Sequence, residues 1–349
     1  MSVARAYDFL IQWHLTERCN LKCRHCYQEG GPVRELTREQ IFAAIDEIDQ
    51  MLQAWQEHYA IEFQPSFNVT GGEPFLRPDF FDILERMAGI GFAIYVLSNG
   101  TLITPERARR LAELKVHGVQ VSLEGPQEIH EAIRGPGSFA ASLAGIRTLM
   151  DAGLKVSLNA TLSRVNAGYF HDLVALARSL GVPRLGFSRL VPSGQGRLWL
   201  EQMLTTAQVK KLYAEVLALK VDGLEITTGD PRAAQMRLPA PAPAEVETFP
   251  AGGCSAGVAG LTLLADGTVV PCRRLNIPLG KLGQDSLREI WAASPILEAL
   301  RDKRRYTGKC GKCTRWSDCR GCRAIAYEYA CSQGHPDFLA PDPQCFIEG

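Results

Sequence analysis

The sequence lacks a net charge, a long hydrophobic run and an N-terminal secretion signal. Its 38 Lys and Arg are balanced by 38 Asp and Glu, so we expect neither a general nucleic-acid-binding surface nor a membrane-surface role. No apolar run reaches the length of a membrane-spanning helix. The N-terminus has a short apolar patch without a small-residue cleavage site, which predicts a first strand and a cytoplasmic protein.

Cysteine is absent from residues 27–253, although the 349-residue chain contains eleven cysteines. Three of them lie within residues 19–26, and the others follow residue 253. In a long chain without a secretion signal, clustered thiols usually bind metal rather than form disulfides. The distribution therefore predicts two metal-binding regions that are joined by a cysteine-free scaffold.

The N-terminal group is Cys19, Cys23 and Cys26, spaced C-x3-C-x2-C in TERCNLKCRHCY. Three thiolates hold three irons of a [4Fe–4S] cube and leave the fourth iron open, whereas structural clusters usually take four cysteines. The alternative is a zinc knuckle, but zinc sites add a second ligand pair, and none follows nearby. The isolated His14 and His25, like His117, are not expected to be ligands.

This spacing resembles the signature of the radical S-adenosylmethionine (SAM) family. The resemblance implies that SAM chelates the open iron through its amino and carboxylate groups. It also implies a partial (β/α)6 barrel of the TIM type.

The pattern between residues 8 and 190 agrees with that fold. It alternates β-rich runs with amphipathic stretches, which predicts parallel strands with right-handed crossovers. The predicted strands are Asp8–Leu15, Phe63–Thr70, Phe92–Ser98, Gly118–Leu123, Lys155–Leu162 and Arg184–Leu190. The predicted helices are Glu39–Leu52, Pro78–Met87, Pro105–Leu114, Phe139–Asp151 and Tyr169–Leu180. Six repeats are too few for an eight-fold barrel, and the chemistry is expected at the C-terminal strand ends.

The second half of the chain predicts a separate C-terminal unit. After a helix at 205–220, residues 236–253 form a Pro- and Ala-rich linker. The predicted division is a barrel over 1–235, this linker, and a cysteine-rich iron–sulfur domain over 254–349. Within that domain we expect a β-hairpin around Asp266 and Gly267 and a helix over Ser286–Leu300.

Polar motifs follow several predicted strands. In Gly71-Gly72-Glu73-Pro74 the glycines permit close backbone approach, and Glu73 offers an acceptor for an ammonium group. The motif looks like the GGEP motif of the family, which implies contact with the SAM amino group. The remaining cofactor contacts implied by the resemblance are Asn99, Ser122, Arg134, Asn159 and Val191.

Three of these residues have an implied role and an alternative one. Arg134, in His130-x3-Arg134, is implied to pair with the SAM carboxylate, for which its fork is suited; a surface role is the alternative. Asn159 is implied to meet the ribose hydroxyls or else to satisfy a core backbone group. Val191 is implied to flank the adenine or else to pack in the core.

The C-terminal cysteines resemble the seven-cysteine SPASM extension of radical SAM enzymes. Cys254 and Cys272 form C-x12-G-x4-C around the predicted hairpin. The others are Cys310, Cys313, Cys319 and Cys322, spaced C-x2-C-x5-C-x2-C, and Cys345 in LAPDPQC. The 319–322 spacing departs from the usual C-x3-C. A zinc ribbon over 310–322 is the alternative, but it leaves three cysteines unexplained.

The SPASM resemblance implies two auxiliary [4Fe–4S] clusters, hence three in all. Cys310, Cys313, Cys319 and Cys345 would hold one cluster. Cys254, Cys272 and Cys322 would hold the other, which lacks a fourth ligand. Either Cys331 completes it or one iron stays open, and on a continuous helix nine residues place Cys322 and Cys331 on opposite faces.

The resemblance implies an enzyme that forms a 5′-deoxyadenosyl radical and abstracts hydrogen from a peptide or small protein. The expected result is oxidative modification or crosslinking, through thioether or C–C bonds. Modification of tetrapyrrole side chains is one alternative, and a non-catalytic electron carrier is another. We expect an electron donor such as flavodoxin or ferredoxin. A leader peptide would need a separate carrier protein or the barrel mouth.

Overall fold

The computed structural model describes residues 6–60, 62–237 and 249–347. Among them, a single mixed sheet runs in the order β10-β9-β8-β1-β2-β3-β4-β5-β6-β7. Its strands are β1 (Ala6–His14), β2 (Glu62–Thr70), β3 (Ala93–Ser98), β4 (Gly118–Ser122), β5 (Val156–Leu162), β6 (Arg184–Arg189), β7 (Glu225–Thr227), β8 (Gly260–Leu263), β9 (Thr268–Val270) and β10 (Gly280–Lys281). The six predicted strands are present as β1 to β6, with parallel pairing throughout.

The helices lie mainly between successive strands, as right-handed crossovers require. They are α1 (Arg38–Tyr59), α2 (Phe80–Ile90), α3 (Pro105–Glu113), α4 (Gln127–Arg134), α5 (Ser138–Asp151), α6 (Phe170–Leu180), α7 (Thr206–Ala218), α8 (Ala234–Arg237), α9 (Leu287–Ala293), α10 (Pro295–Arg301), α11 (Gly308–Lys312) and α12 (Arg323–Ser332). Within the described ranges, none of them has the length and apolar character needed to cross a bilayer.

The single helix expected over Ser286–Leu300 is wrong, because the chain forms α9 and α10 there. Ser294 ends α9 in an extended conformation and caps α10, with Pro295 at the first position of the new helix. Proline lacks an N–H and disfavours a helical conformation in the residue before it. The Ser-Pro pair therefore divides one apolar pattern into two short helices.

The strands of the barrel carry an apolar face and a polar face. In β5 the alternate residues Val156, Leu158, Ala160 and Leu162 are buried among the apolar residues of the helix-facing core. The intervening residues, such as Asn159, remain partly accessible on the inner face. This alternation leaves the concave side of the curved sheet polar, and the main cavity lies there.

The predicted hairpin is present as β8 and β9, which pair antiparallel. Strand β8 also pairs in parallel with β1, so the sheet continues across the predicted linker. Gly260 permits this contact, since a Cβ there would lie 1.8 Å from the Leu10 carbonyl oxygen. Residues 238–248 of that linker lie outside the described residues, and Gly252 and Gly253 pack against Asp318.

Candidate active site

A cavity of about 1040 Å³ lies at the C-terminal ends of the barrel strands. The loop after β1 contributes three thiols to its wall, and the ends of β2 to β5 contribute polar groups. The predicted site residues that line it are Cys19, Cys23, Cys26, Gly72, Asn99, Ser122, Arg134 and Asn159. Folding thus brings together residues that are far apart in the sequence, at the end of the sheet where the chemistry was expected.

The glycines of the GGEP motif hold the cysteine loop against the end of β2. The Gly72 N–H donates to the Thr16 carbonyl oxygen (2.7 Å), and the Glu73 N–H donates to that of Arg18 (2.8 Å). A Cβ on Gly72 would lie 2.3 Å from the Arg18 oxygen. The glycine is therefore required for the approach of two backbone segments, which places the loop that carries Cys19.

The Glu73 side chain is fully buried and does not line the cavity. Its oxygens accept hydrogen bonds from the Ser98 hydroxyl (2.9 Å) and from the N–H groups of Asn99 (2.8 Å) and Phe75 (3.4 Å). Burial raises the pKa of Glu73 to about 7, although these donors oppose the shift. Glu73 therefore connects the end of β2 with the end of β3. This position does not support the implied contact with an ammonium group.

Asn99 connects the end of β3 with the cysteine loop. Its Nδ2 donates to Asn20 Oδ1 (2.9 Å) and lies 3.9 Å from Cys19 Sγ. Its Oδ1 accepts from the Thr101 N–H (2.8 Å). An amide that contacts a thiol orients that thiol and would tune a bound cluster through its hydrogen bonding.

Arg134 is held in the cavity by a buried carboxylate. Its Nε and Nη2 donate to Glu124 Oε1 (3.0 and 2.6 Å), while Nη1 lies 3.7 Å from Cys23 Sγ. His25 Nε2 lies 3.1 Å from the same oxygen. Burial alone would raise the pKa of Glu124, but Arg134 and His25 outweigh it and hold this pKa well below its usual range.

Glu124 and His25 were given no role by the sequence, yet they fix the arginine beside the thiols. The only sequence signal was the position of Glu124 directly after the fourth strand. Arg134 forms an ion pair with Glu124 through two of its nitrogens. A ligand carboxylate would therefore meet a guanidinium that is already paired.

Ser122 and Asn159 are neighbours across the β4–β5 pair and both line the cavity. Val191 does not line it. It is buried in an apolar cluster with Leu190, Met203, Cys254 and Cys322. The structure therefore places Val191 with the second group of cysteines, which corresponds to its alternative packing role.

The donor set of the loop, three cysteine thiols, is the chemistry that an iron–sulfur cluster takes. Among the described residues, no three or more His, Cys, Asp or Glu side chains converge closely enough to hold one metal ion. A zinc site requires four ligands about 2.0–2.3 Å from one ion, whereas a cube binds thiolates at separate corners. Burial raises the pKa of Cys26 to about 11, so cluster binding must displace its proton.

Four C-terminal cysteines surround a second cavity of about 620 Å³. They are Cys310, Cys313, Cys319 and Cys345, the set implied by the SPASM resemblance. Gln235 Nε2 donates to Cys319 Sγ (3.3 Å). Burial opposes ionisation of Cys345, but the nearby Arg232 cation outweighs it and lowers the pKa of this thiol. A positive wall of this kind favours bound thiolates.

The other three cysteines, Cys254, Cys272 and Cys322, share an apolar cluster with the end of β6. Burial and the neighbouring Cys254 raise the pKa of Cys322 to about 12. Cys322 caps the N-terminus of α12, whereas Cys331 lies in its last turn. At about 1.5 Å of rise per residue, nine residues separate them by about 13 Å along the axis. This separation does not support Cys331 as the fourth ligand of the cluster that Cys322 would bind.

A buried ion-pair network connects the two C-terminal cysteine groups with the barrel, and no motif in the sequence predicts it. Asp342 accepts from Arg189 (3.1 and 2.9 Å), from Arg232 (3.2 Å) and from the Cys322 N–H (2.9 Å). These partners are 20 to 153 residues away. They fix the segment that ends in Cys345.

Comparisons with known proteins agree with this geometry. Residues 13–177 match the model of the radical SAM superfamily, and residues 254–322 match that of the SPASM iron–sulfur cluster-binding domain. An AdoMet-dependent heme synthase of Oleidesulfovibrio alaskensis is 30% identical over 96% of this chain and 86% of its own. A mycofactocin maturase of Mycobacterium ulcerans is 32% identical over 96% and 87%, respectively.

Among solved structures, Streptococcus suis SuiB bound to its precursor peptide SuiA has a similar fold. The TM-score is 0.74 with 16% identity, over 99% of this chain and 77% of that one. The fold, the three-thiol loop and the two family matches exclude the simple electron-carrier alternative, because they identify an enzyme superfamily. The chain belongs to the radical SAM superfamily and carries a C-terminal SPASM iron–sulfur domain.

Proposed function

We propose that this radical SAM enzyme modifies a peptide oxidatively or crosslinks it through thioether or C–C bonds, as a step in ribosomal peptide maturation. The observation that carries the radical chemistry is the single cavity shared by three loop thiols and the polar strand ends. A [4Fe–4S] cluster held by these thiols would supply the electron for cleavage of SAM into methionine and a 5′-deoxyadenosyl radical, which would take hydrogen from the substrate.

In this proposal the residues of the chain bind the cluster and position SAM. Cys19, Cys23 and Cys26 hold the cluster, and Asn99 orients the first of them. Ser122 and Asn159 offer polar contacts on the inner face for SAM. Arg134 is held by Glu124 through Nε and Nη2, and its Nη1 beside Cys23 is the donor left to meet the SAM carboxylate.

The C-terminal domain holds two auxiliary clusters in the same proposal, which makes three [4Fe–4S] clusters in all. The proposed division of the chain is a barrel over 1–235, a linker over 236–253 and the SPASM domain over 254–349. An electron donor such as flavodoxin or ferredoxin reduces the N-terminal cluster. A separate carrier protein delivers the leader peptide.

A peptide substrate is supported by the similarity to a mycofactocin maturase and by a fold like that of SuiB, which was solved with a precursor peptide. The second candidate is a tetrapyrrole whose side chains are modified. The 30% identity to an AdoMet-dependent heme synthase favours it.

The test is to reduce the reconstituted enzyme anaerobically with SAM and to measure 5′-deoxyadenosine. A peptide that is a substrate will lose the mass of two hydrogens in step with that product. Absence of 5′-deoxyadenosine from fully iron-loaded protein would refute the radical reaction. Formation of a modified tetrapyrrole, with no change in any peptide, would replace the first candidate with the second.

A further inference from the structure

Arg273 lines the active-site cavity. It directly follows Cys272, after β9. Its Nη1 donates to Gln12 Oε1 (3.0 Å), and its guanidinium carbon lies 5.5 Å from the centre of the Tyr27 ring. Within the part of the chain that the structure describes, no ion pair joins it to Asp or Glu. Arg134 in the same cavity differs, because Glu124 neutralises it.

The groups behind Arg273 are neutral and incompletely bonded. Gln12 and His14 lie on β1 and are buried. In the described residues, Gln12 Nε2 and both ring nitrogens of His14 have no hydrogen-bond partner. Burial and the charge of Arg273 lower the pKa of His14 to about 3, so this ring carries no charge at neutral pH. Gln12 and His14 do not themselves line the cavity, so Arg273 is the group of this corner that a ligand in the cavity would meet.

An apolar surface lies on the wall of the same cavity. Leu198 and Trp199 belong to the 3₁₀ segment Gly194–Gln202, and both line the cavity. The Leu198 side chain is 81% exposed. A ligand that joins an apolar group to an anion would use both this surface and Arg273.

We propose that Arg273 binds a carboxylate of the substrate. The inference rests on the proposed function and adds to it the chemical group that is recognised. A guanidinium presents two parallel N–H donors that match a carboxylate. The carboxylate belongs either to a peptide, at its C-terminus or on a side chain, or to a propionate of a tetrapyrrole.

The experiment measures dissociation constants for reconstituted wild type, Arg273→Gln, Arg273→Lys and Arg288→Gln. One pair of probes is a pool of short synthetic peptides with free carboxyl groups and the same pool as methyl esters. The other pair is coproporphyrin III and its tetramethyl ester. Arg288 is an exposed arginine of α9 and is the charge-matched control.

We expect wild type to prefer the free acid of one probe class, which identifies the source of the carboxylate. Arg273→Gln should weaken that binding about 10- to 100-fold, the range for a lost charge-assisted hydrogen bond. Binding of the ester should not change, Arg273→Lys should be intermediate, and Arg288→Gln should match wild type. Iron content and substrate-free release of 5′-deoxyadenosine should stay at the wild-type level in Arg273→Gln.

Three results would overturn the inference. The first is equal binding of the free acids by Arg273→Gln and wild type. The second is a wild type that binds acids no better than esters, or that binds neither. The third is loss of iron or of substrate-free SAM cleavage in Arg273→Gln, which would assign the arginine to a cluster or to SAM. Failure of the proposed function gives a different result, since iron-loaded wild type would then form no 5′-deoxyadenosine.

Discussion

Gly72 shows how one residue places the N-terminal cluster loop. Its missing side chain allows the Thr16–Arg18 backbone to lie against the end of β2, and both backbone hydrogen bonds across this contact depend on it. A Cβ would meet a carbonyl oxygen that belongs to the backbone, so no side-chain rotation relieves the clash. The loop itself must move.

Gly72→Ala should therefore lose the N-terminal cluster and keep the rest of the fold. Iron per chain should fall by about four, the content of one cube, with loss of SAM cleavage. The matched control is Gly89→Ala in α2, where a Cβ meets no atom within 4 Å. Iron analysis and 5′-deoxyadenosine assays compare the two variants. Full iron and activity in Gly72→Ala would show that the loop tolerates the shift.

The Glu73 carboxyl group does not line the cavity, and we expect it to titrate near neutral pH. Burial raises its pKa from about 4.5 to about 7, so the folded protein keeps a proton that the unfolded chain releases between these values. Stability contributed by this group is present below the lower pKa and decreases as pH rises through the higher one. The slope reaches at most about 1.4 kcal/mol per pH unit.

Infrared difference spectra between pH 5.5 and 8 measure this proton directly. A protonated-carboxyl band should disappear as pH rises through about 7, and Glu73→Gln should lack it. A wild-type spectrum without that band, or a band that persists in the variant, would contradict the assignment.

At the scale of elements, Asp342 stabilises the C-terminal segment against the barrel. It lies between Arg189 at the end of β6 and Arg232 in the turn before α8, and all three side chains are buried. Arg189 also pairs with the buried side chain of Asp230 (2.6 Å), whereas Asp342 is the carboxylate that pairs with Arg232. Burial of these charges is costly, so the arrangement persists only when each charge is paired. Asp342 also accepts from the N–H of Cys322, which connects the ion pairs to the cysteines.

Asp342→Asn should lower the free energy of unfolding by about 3–5 kcal/mol, because it leaves the buried Arg232 guanidinium without its carboxylate, while Arg189 keeps Asp230. We also expect loss of auxiliary-cluster iron. Asp337→Asn is the matched control, since Asp337 lies on the same segment and its carboxylate accepts from the Thr307 hydroxyl and the Leu339 N–H, with no ion pair to the residues that the structure describes. Denaturant unfolding and iron analysis test the pair. Equal stability of the two variants would contradict the role of the network.

The sequence predicts local features of these elements well and long-range ones poorly. Alternating apolar residues identified β5, and cysteine spacing identified both metal-binding regions, because these signals lie within a few residues. The break at Pro295 was also local, but it was missed because the apolar pattern continues across it. Asp342 gives no such signal, since its partners are up to 153 residues away. Arg273 reaches the cavity only because β8 pairs with β1.

For the whole molecule, the continuous sheet determines how the three cysteine groups are arranged. Strand β8 extends the barrel sheet beyond β1, and its hairpin leads to Cys272 and then to Arg273, which lines the cavity. The cysteines around the second cavity are tied to β6 through Asp342. The group with Cys272 therefore follows directly from the extended sheet, whereas the cysteines around the second cavity are connected to the barrel through side-chain ion pairs.

This arrangement predicts that the clusters are removed independently. Wild type should bind about twelve irons per chain, which is three cubes. Cys310→Ala with Cys313→Ala should remove about four irons and leave substrate-free 5′-deoxyadenosine release intact, because that cavity shares no lining residue with the active site. Cys19→Ala with Cys23→Ala should also remove about four irons but abolish the release.

Electron paramagnetic resonance of the reduced variants separates these cases. A spectral change on adding SAM should persist in the Cys310/Cys313 variant and be absent from the Cys19/Cys23 variant. If the Cys310/Cys313 variant lost all its iron, the clusters would depend on one another for folding. If wild type bound only about four irons, which is one cube, the cysteines of the second cavity would hold no cluster, and they would need another explanation.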